Sequence, residues 1–541
     1  MKILNEAIVM DYYLKLMNEG KINFLIGDTD TKKQTRKAIK EHIDKIKKLN
    51  PEDIHEKIIQ VRDLWKILFE EAMVFIDPDK QGYDNLFEYF DAFVEFEELI
   101  FASDRYYRDH TLHSLWVYFL GEYLYNNPEF KTLFTDFNIA FRRYNKINEF
   151  FSKLDNKDIF ADFIRMLDDV TEILKYDDSI RCVTALAHDL GYPLERIKKI
   201  NKSIENILPY FQITRFGAFS FQFDNVQQFY IENLLDLISC NIEYGVRMGE
   251  LSFEEENLIR DTIISVVKVR NILNNFEDPD EETTNQFQEK LANLNSHEVY
   301  LLRKIFRGFT KLTKDISKVM RFGNDFESYR HGIMSSYLVT KQLNSFANIQ
   351  ISYSDPNNLE YHGISIPKVY AKLRILEAMS DHKSPGYRMK AIDTYSALLL
   401  LVDEIEEFSR ISRANQYRQF INEFCKMKVG YSKDTFCVDF IFDDNTVAGL
   451  DPHLNFKDRA KTFMKIFDIP NLDENLKFRI RCIDALTDTK KIYEFLMKKD
   501  CFQIKIPDGC FKPGTPKKDQ TLTNYLETKE VFEKCKLQIA K

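Results

Sequence analysis

The stretch ALAHDLGYP, residues 185–193, places the strongest constraint on how this chain folds. Small apolar residues at helical spacing lead straight into His188 and Asp189, and Gly191 and Pro193 then interrupt the helix. Burying a carboxylate beside an imidazole is costly unless another group pairs with both. A divalent metal ion is such a group, and adjacent residues, about 100° apart on a helix, can still reach one dinuclear centre. The segment therefore predicts a buried polar site on a helix.

A second segment, RDHTLHSLWVYFLGEYL at 108–124, carries two histidines. His113 is in line with Val117 and Leu120, so it faces the core, and His110 lies one turn earlier on the same side. The chain has only 10 histidines, so two on one buried stripe need an explanation. The alternative is one structural and one exposed histidine.

Two later segments each carry a histidine at one end of a predicted helix. His331 opens the amphipathic helix predicted for SYRHGIMSSYLVTKQL at 328–343. His382 ends the buried face of VYAKLRILEAMSDHKSPGY at 369–387, and its position on that face favours it over the adjacent Asp381.

A fifth segment, DTYSALLLLVDEIEEFSR at 393–410, places Asp403 on an otherwise apolar stripe. A lone buried aspartate is expected to have a partner. A metal ion shared by all five segments is the simplest partner, so we expect the five helices to meet.

The composition sets the general class of the protein. The chain has 541 residues, of which 44% are hydrophobic and 30% charged, with only 17 glycines and 14 prolines. These values predict a mainly α globular protein of roughly two to four structural units. The net charge of −9 argues against broad nucleic-acid binding.

Cysteine usage and hydropathy predict the compartment. The 8 cysteines include no C-x-x-C pair, which argues against a disulfide framework and fits a reducing cytoplasm. The first 20 residues carry acids where a signal peptide needs an apolar run, and the most apolar stretch, 397–402, is too short to cross a bilayer. We therefore expect a cytoplasmic protein without a membrane partner.

Changes of pattern divide the chain into four parts. Residues 1–102 predict an N-terminal helical region, and residues 103–425 remain helical and contain all five segments. Residues 426–510 predict a small α/β domain, and residues 511–541, with Pro and Gly followed by lysines, predict a loose tail.

The small C-terminal domain combines strand and helix patterns. DTFCVDFIF, LKFRIRCID and CFQIKIPDG alternate like strands, while 457–467 and 489–499 have helical spacing. The predicted order is β-α-β-α-β. Three roles remain open for this domain: binding a regulatory ligand, forming a dimer contact, or covering a pocket.

The five segments together resemble the HD-domain superfamily of metal-dependent phosphohydrolases, whose pattern is H…HD…D. Members with a dinuclear centre have the fuller pattern H…HD…H…H…D. The matching segments are HSLWVYFLG, ALAHDLGYP, RHGIMSSYLV, LEAMSDHK and LLLVDEIEEFSR, and the similarity covers roughly residues 105–412. The resemblance implies a helical bundle, and the long interval between Asp189 and His331 then implies an insertion over about 201–318.

The resemblance also implies how the ligands divide between two ions. The first ion would be held by His113, His188, Asp189 and Asp403. Asp189 would bridge to a second ion held by His331 and His382.

Two departures keep the chain out of one branch of that superfamily. Members that cleave cyclic dinucleotides have a lysine close after HDxG, where this chain has Tyr192 and Pro193. Their later GYP signature is also missing, since Gly386 and Tyr387 are followed by Arg388. Other members of the superfamily are di-iron oxygenases, and a non-catalytic sensor of metal or nucleotide is the third alternative.

The residue types then predict the chemistry. Imidazoles and carboxylates suit Mn, Fe, Co, Ni or Zn, with Mg also considered, as one or two divalent ions. We expect a phosphohydrolase or phosphodiesterase that cleaves a phosphoester or phosphoanhydride bond with a metal-activated water. Asp189 and His110 are the expected catalytic residues, with His110 protonating the leaving group.

The substrate is expected to be a phosphorylated small molecule, with a nucleotide as the favoured class, and a homo-oligomer remains open. An anionic substrate needs donors near the metal ligands. The basic residues that flank the proposed ligands are Arg330, Lys383, Arg388 and Arg410.

Overall fold

A computed structural model describes most of the chain. The described residues are 2–50, 53–103, 109–213, 217, 223, 225–247, 251–349, 352–355, 358–360, 365–409, 425–432, 434–443, 451–486, 489–507 and 509–511. The predicted tail lies outside the described residues from position 512 onwards. The fold is mainly α with a small C-terminal α/β region, as the sequence predicted.

Nineteen α-helices occur within the described residues. They are α1 (Glu6–Asn18), α2 (Asp30–Lys48), α3 (Ile54–Ile76), α4 (Tyr83–Ser103), α5 (His110–Asn126), α6 (Ile139–Phe151), α7 (Ala161–Lys175), α8 (Asp177–Ala187), α9 (Tyr192–Ile207), α10 (Asn225–Ile238), α11 (Phe253–Asn274), α12 (Glu281–Ala292), α13 (Ser296–Ile305), α14 (Ile316–Glu327), α15 (His331–Gln342), α16 (Asn344–Ala347), α17 (Ile366–Asp381), α18 (Tyr395–Ile405) and α19 (Pro452–Ile466). None of these described helices has both the length and the apolar character that a bilayer crossing requires.

The strands of the described residues form one large and two small sheets. They are β1 (Lys2–Leu4), β2 (Cys240–Arg247), β3 (Arg307–Lys314), β4 (Ser352–Asp355), β5 (Asn358–Glu360), β6 (Lys426–Ser432), β7 (Thr435–Phe442), β8 (Lys477–Asp484), β9 (Lys491–Lys498), β10 (Cys501–Ile506) and β11 (Gly509–Phe511).

The helices that carry the predicted site residues pack on one another. Helix α8 contacts α5, α17 and α18, while α17 also contacts α15 and α18. Nearly every side chain of α5, α8 and α18 is buried. A helix that is apolar on all sides is stable only where neighbours surround it. These helices therefore form the centre of the molecule.

The N-terminal helices cover this centre from one side. Helix α3 contacts α5 and α8. The indole Nε1 of Trp65 on α3 donates to the carbonyl oxygen of Leu186 at 2.8 Å, two residues before His188. The predicted helical character of residues 1–102 is confirmed. These helices share one apolar core with the central helices and the C-terminal sheet, and the boundary at 102 stays a prediction.

A second apolar core lies within the middle of the chain. Its buried side chains include Phe151 of α6, Phe163 of α7, Val266 of α11, Phe287 of α12 and Leu302 of α13. Helices α11, α12 and α13, which lie within the segment predicted to be an insertion, thus pack with α6 and α7, which precede His188 in the chain. The predicted domain boundaries are not decided by this arrangement.

The C-terminal sheet has seven strands in the order β1-β6-β7-β8-β9-β10-β11. Neighbours are antiparallel except β7 and β8, which are parallel and connected through α19. Phe478, Ile480 and Cys482 alternate along β8 and are buried, because successive side chains of a strand point to opposite faces. The strands predicted from DTFCVDFIF, LKFRIRCID and CFQIKIPDG are confirmed.

The predicted order β-α-β-α-β is wrong in its second helix. Residues 491–498 form β9, which pairs with β8 on one side and β10 on the other. Tyr493, Phe495 and Met497 alternate and are buried. A short apolar run fits either period, and here the hydrogen bonds of two neighbouring strands decide it. The first predicted helix, 457–467, is confirmed as α19, which begins earlier, at Pro452, and ends at Ile466.

Helix α19 is attached to the site-bearing helices by buried contacts. Nη1 of Arg459 lies 2.8 Å from Oε1 of Glu407, and both side chains are less than one-tenth exposed. The backbone of Met389 accepts from Asp468 and donates to Ile466, each at 2.8 Å. The C-terminal sheet therefore has a defined position next to the ends of α17 and α18.

We expect Arg459→Ala to lower the free energy of unfolding by about 3–5 kcal/mol, because it removes one partner of a buried ion pair. Urea denaturation measures the change. The control is Lys499→Ala, which removes an exposed pair with Glu474 and should leave the free energy of unfolding nearly unchanged. Equal small effects of the two substitutions would contradict the attachment through Arg459.

Candidate metal centre

The segment ALAHDLGYP, residues 185–193, contains a tight turn between two helices. Helix α8 ends at Ala187, and α9 begins at Tyr192 with Pro193 in its first turn, so the predicted break is confirmed. His188 is fully buried, and Asp189 is 6% exposed. The turn therefore presents both side chains to the interior.

The carboxylate of Asp189 lies between two pairs of histidines. Its Oδ1 is 3.2 Å from Nε2 of His331 and 3.5 Å from Nε2 of His382. Its Oδ2 is 3.3 Å from Nε2 of His188 and 3.9 Å from Nε2 of His113. Each oxygen of one carboxylate thus faces its own pair of imidazoles.

Asp403 belongs to the pair on the Oδ2 side. Its Oδ1 lies 2.8 Å from Nε2 of His113 and 4.0 Å from Nε2 of His188. Its Oδ2 accepts a hydrogen bond from Nζ of Lys383 at 2.6 Å. All six residues expected to be metal ligands are therefore buried together in the structure.

These side chains form two groups that can hold a metal ion, and Asp189 is common to both. The first group contains His113 and His188, and the second contains His331 and His382. Asp381, the alternative to His382, instead accepts from Ser396 at 2.8 Å and pairs with Arg321 at 2.7 Å.

Two of the imidazoles are oriented by backbone carbonyls. Nδ1 of His188 donates to the oxygen of Ala185 at 2.8 Å, and Nδ1 of His382 donates to the oxygen of Met379 at 2.6 Å. An acceptor at Nδ1 places the proton there, so the neutral ring presents the lone pair of Nε2 to Asp189.

The other two imidazoles are oriented by the carboxylates of the buried Glu406 and the partly exposed Glu195. Nδ1 of His113 is 2.6 Å from Oε2 of Glu406, and Nδ1 of His331 bonds to Oε2 of Glu195. Neither glutamate is among the residues predicted from the sequence. Glu406 lies three residues after Asp403, directly after the end of α18, and this closeness in sequence is the signal that was available.

The arrangement leaves several lone pairs pointing into one buried volume. Nε2 of His188 is buried and has no hydrogen-bond partner among the described residues. Nε2 of His331 and Nε2 of His382 are 3.2 Å apart, although the Nδ1 atom of each ring already faces an acceptor. Converging lone pairs and carboxylates repel one another unless a cation lies among them. The donor set therefore fits a divalent metal ion.

The pKa of His188 agrees with this description, whereas the pKa of His331 shows how strongly the neighbouring carboxylates favour a positive charge at this place. Burial lowers the pKa of His188 to about 3, which keeps the ring neutral as a metal ligand requires. Burial would raise the pKa of Asp189, but His188 and the donors His331 and His382 hold it well below its usual value. Burial would lower the pKa of His331, but Asp189 and Glu195 raise it to about 9.

Close packing of α15 brings His331 to the turn. A Cβ added at Gly191 would lie 2.3 Å from the carbonyl oxygen of His331 and 2.5 Å from the amide nitrogen of Ser335. The Ser335 hydroxyl accepts from the amide of Gly191 at 2.7 Å and donates to the carbonyl oxygen of His188 at 2.6 Å. Only glycine allows the two backbones to approach this closely.

The expected acid, His110, lies beside the two groups but not within them. Its Nδ1 is 3.0 Å from Oε2 of Glu97, and its ring centroid is 3.7 Å from that of Tyr192. The ring centroid of His113 is 6.5 Å away. The role of His110 stays a prediction.

A cavity of about 520 Å³ adjoins the second group, with His382 in its wall. Three of the four basic residues expected to bind substrate, Arg330, Lys383 and Arg388, line the same cavity. The fourth, Arg410, lies outside the described residues.

Lys383 is engaged with the ligand set itself. Its ammonium lies 2.6 Å from Asp403 and 2.9 Å from Glu404. Burial favours the neutral amine, but these carboxylates raise the pKa of Lys383 above its usual value. Its first effect is therefore to orient Asp403.

Comparison with protein-family models, with curated proteins and with solved structures gave no match to this chain.

We expect Gly191→Ala to lower the free energy of unfolding by about 1–3 kcal/mol, because the new methyl group forces α15 away from the turn. Urea denaturation measures the change. The control is Gly323→Ala in α14, where a Cβ meets nothing within 4 Å and helix propensity should improve stability by up to about 1 kcal/mol. Similar values for both variants would show that the close approach at Gly191 is not tight.

Proposed function

We propose that this protein is a metal-dependent phosphohydrolase that cleaves a phosphoester or phosphoanhydride bond of a phosphorylated small molecule. The observation that carries the proposal is the position of Asp189, whose two carboxylate oxygens each face a separate pair of histidine Nε2 atoms. This arrangement is what a dinuclear centre with one bridging carboxylate requires. The ordered ligand pattern that resembles the HD-domain superfamily supports the same reaction.

The ligand set favours certain ions. Four imidazoles with two carboxylates and no thiolate suit Mn²⁺, Fe²⁺, Co²⁺, Ni²⁺ or Zn²⁺ better than Mg²⁺, which prefers oxygen ligands. Bound at these two groups, such ions would supply a nucleophilic water at neutral pH and neutralise phosphate oxygens.

The remaining residues hold this centre and its substrate. Glu195 and Glu406 fix the rings of His331 and His113, so that Nε2 is directed at Asp189. Lys383 fixes Asp403 in the same way.

Two more residue types complete the proposed chemistry. Arg330 and Arg388 line the adjoining cavity and provide planar donors for phosphate oxygens. His110, held at Nδ1 by Glu97, is the candidate proton donor to the leaving group. The cationic side chains of the cavity favour a phosphorylated substrate over the substrate of an oxygenase.

Metal content tests the ligand assignment. We expect the wild-type protein to bind about two equivalents of Mn²⁺ or Co²⁺, and His331→Ala to bind about one, because it removes a ligand of one group only. Asp189→Ala should retain the least metal, since Asp189 serves both groups. Elemental analysis after dialysis gives the stoichiometry. His297→Ala, which changes an exposed histidine, is the control and should match the wild type.

Activity tests the reaction class. We expect the protein loaded with Mn²⁺, Fe²⁺, Co²⁺, Ni²⁺ or Zn²⁺ to hydrolyse bis(4-nitrophenyl) phosphate or members of a nucleotide panel. The rate should fall by about 10³-fold or more in Asp189→Ala, because both groups lose their shared ligand. Release of 4-nitrophenol and of phosphate are the measurements. An iron protein that consumes oxygen and leaves every phosphate intact would contradict the proposal.

A further inference from the structure

The cavity beside the candidate centre has walls from two parts of the chain. Arg330, Lys383 and Arg388 come from the segments around α15 and α17, whereas Thr462 and Lys465 come from α19. The C-terminal region therefore contributes directly to the space that adjoins the His382 end of the centre.

The wall formed by α19 has a fixed position. The buried pair between Arg459 and Glu407 attaches α19 to the chain four residues after Asp403. The backbone amide of Met389 donates to Ile466, the last residue of α19, and its carbonyl oxygen accepts from Asp468. Thr462 and Lys465 lie between these two attachments, so their distance from the centre is set by buried contacts.

The charges in the cavity exceed what one phosphate at the centre needs. Four basic side chains line it, those of Arg330, Lys383, Arg388 and Lys465, against the single acid Glu404. Lys383 is already paired with Asp403 and Glu404. The exposed Lys465 remains as a cation on the α19 wall, beside the hydroxyl of Thr462.

An ammonium group and a hydroxyl group on one wall form a pair of donors suited to phosphate oxygens. A volume of about 520 Å³ is that of a pocket for a ligand of nucleotide size, larger than one phosphate group fills. Tyr387 and Leu400 add apolar wall for the part of the ligand between two anionic ends.

We propose that the substrate carries at least two phosphoryl groups, and that Lys465 and Thr462 bind a phosphate other than the one that is hydrolysed. This inference rests on the proposed function, from which the hydrolysis of a phosphate at the metal centre is taken. It makes α19 a determinant of substrate specificity, and it assigns the C-terminal region a place in the substrate site.

Binding of inorganic tripolyphosphate to the full-length protein tests the proposal without relying on turnover. We expect Lys465→Glu to weaken tripolyphosphate binding about tenfold or more, measured by titration calorimetry, because a donor to a phosphate becomes a repelling charge. Thr462→Val should weaken it about threefold to tenfold through the loss of one hydrogen bond.

The matched control is Lys461→Glu, which makes the same change of charge on the same helix outside the cavity lining. It should leave the affinity for tripolyphosphate within about twofold of the wild type. If Lys465→Glu and Lys461→Glu have equal effects, the proposal is overturned. Urea denaturation of both variants verifies that each is folded as the wild type is.

A parallel assay separates this proposal from the proposed function. If the metal-loaded wild type does not hydrolyse any phosphate ester while Lys465→Glu still weakens tripolyphosphate binding, the reaction class fails and the anion site stands. If the wild type hydrolyses bis(4-nitrophenyl) phosphate while tripolyphosphate binding is insensitive to Lys465→Glu, the reaction class stands and the second phosphate site is wrong.

Discussion

The shared carboxylate of Asp189 is the constraint on which the rest of the structure depends. One buried side chain faces four histidine nitrogens, two on each oxygen, and each histidine comes from a different helix or helix end. For the four rings to converge, α8 must end at the turn, α15 must approach it at Gly191, and α17 must end at His382. The centre thus determines how the central helices pack, and their burial keeps its donors away from bulk water.

The surrounding elements orient the side chains of the centre and balance their charges. Imidazoles that converge through Nε2 need partners at Nδ1, and Glu195 and Glu406 supply them where no backbone carbonyl does. On the outside, Trp65 of α3 bonds to the end of α8, and Arg459 of α19 pairs with Glu407 beside the end of α18. The N-terminal helices and the C-terminal sheet therefore both support the helix ends at which ligands are held.

Helical spacing placed His113, His382 and Asp403 on buried faces and His331 at the start of a helix, because a polar residue on an apolar stripe is a strong local signal. It could not locate Glu195 or Glu406, since acidic residues near helix ends are common and only tertiary contact distinguishes these two. It assigned β9 to a helix because the strand pairs that decide its form lie in other parts of the chain. The place of α19 beside His382 depends on long-range contacts, which no local pattern contains.

Anomalous diffraction from crystals grown with Mn²⁺ or Co²⁺ tests the central claim most directly, because it locates each ion relative to Asp189. The account predicts two peaks, one between Asp189 and the pair His113 and His188, and the other between Asp189 and the pair His331 and His382. Diffraction data of good quality that show no peak at Asp189, with the histidines joined only by hydrogen bonds, would contradict it.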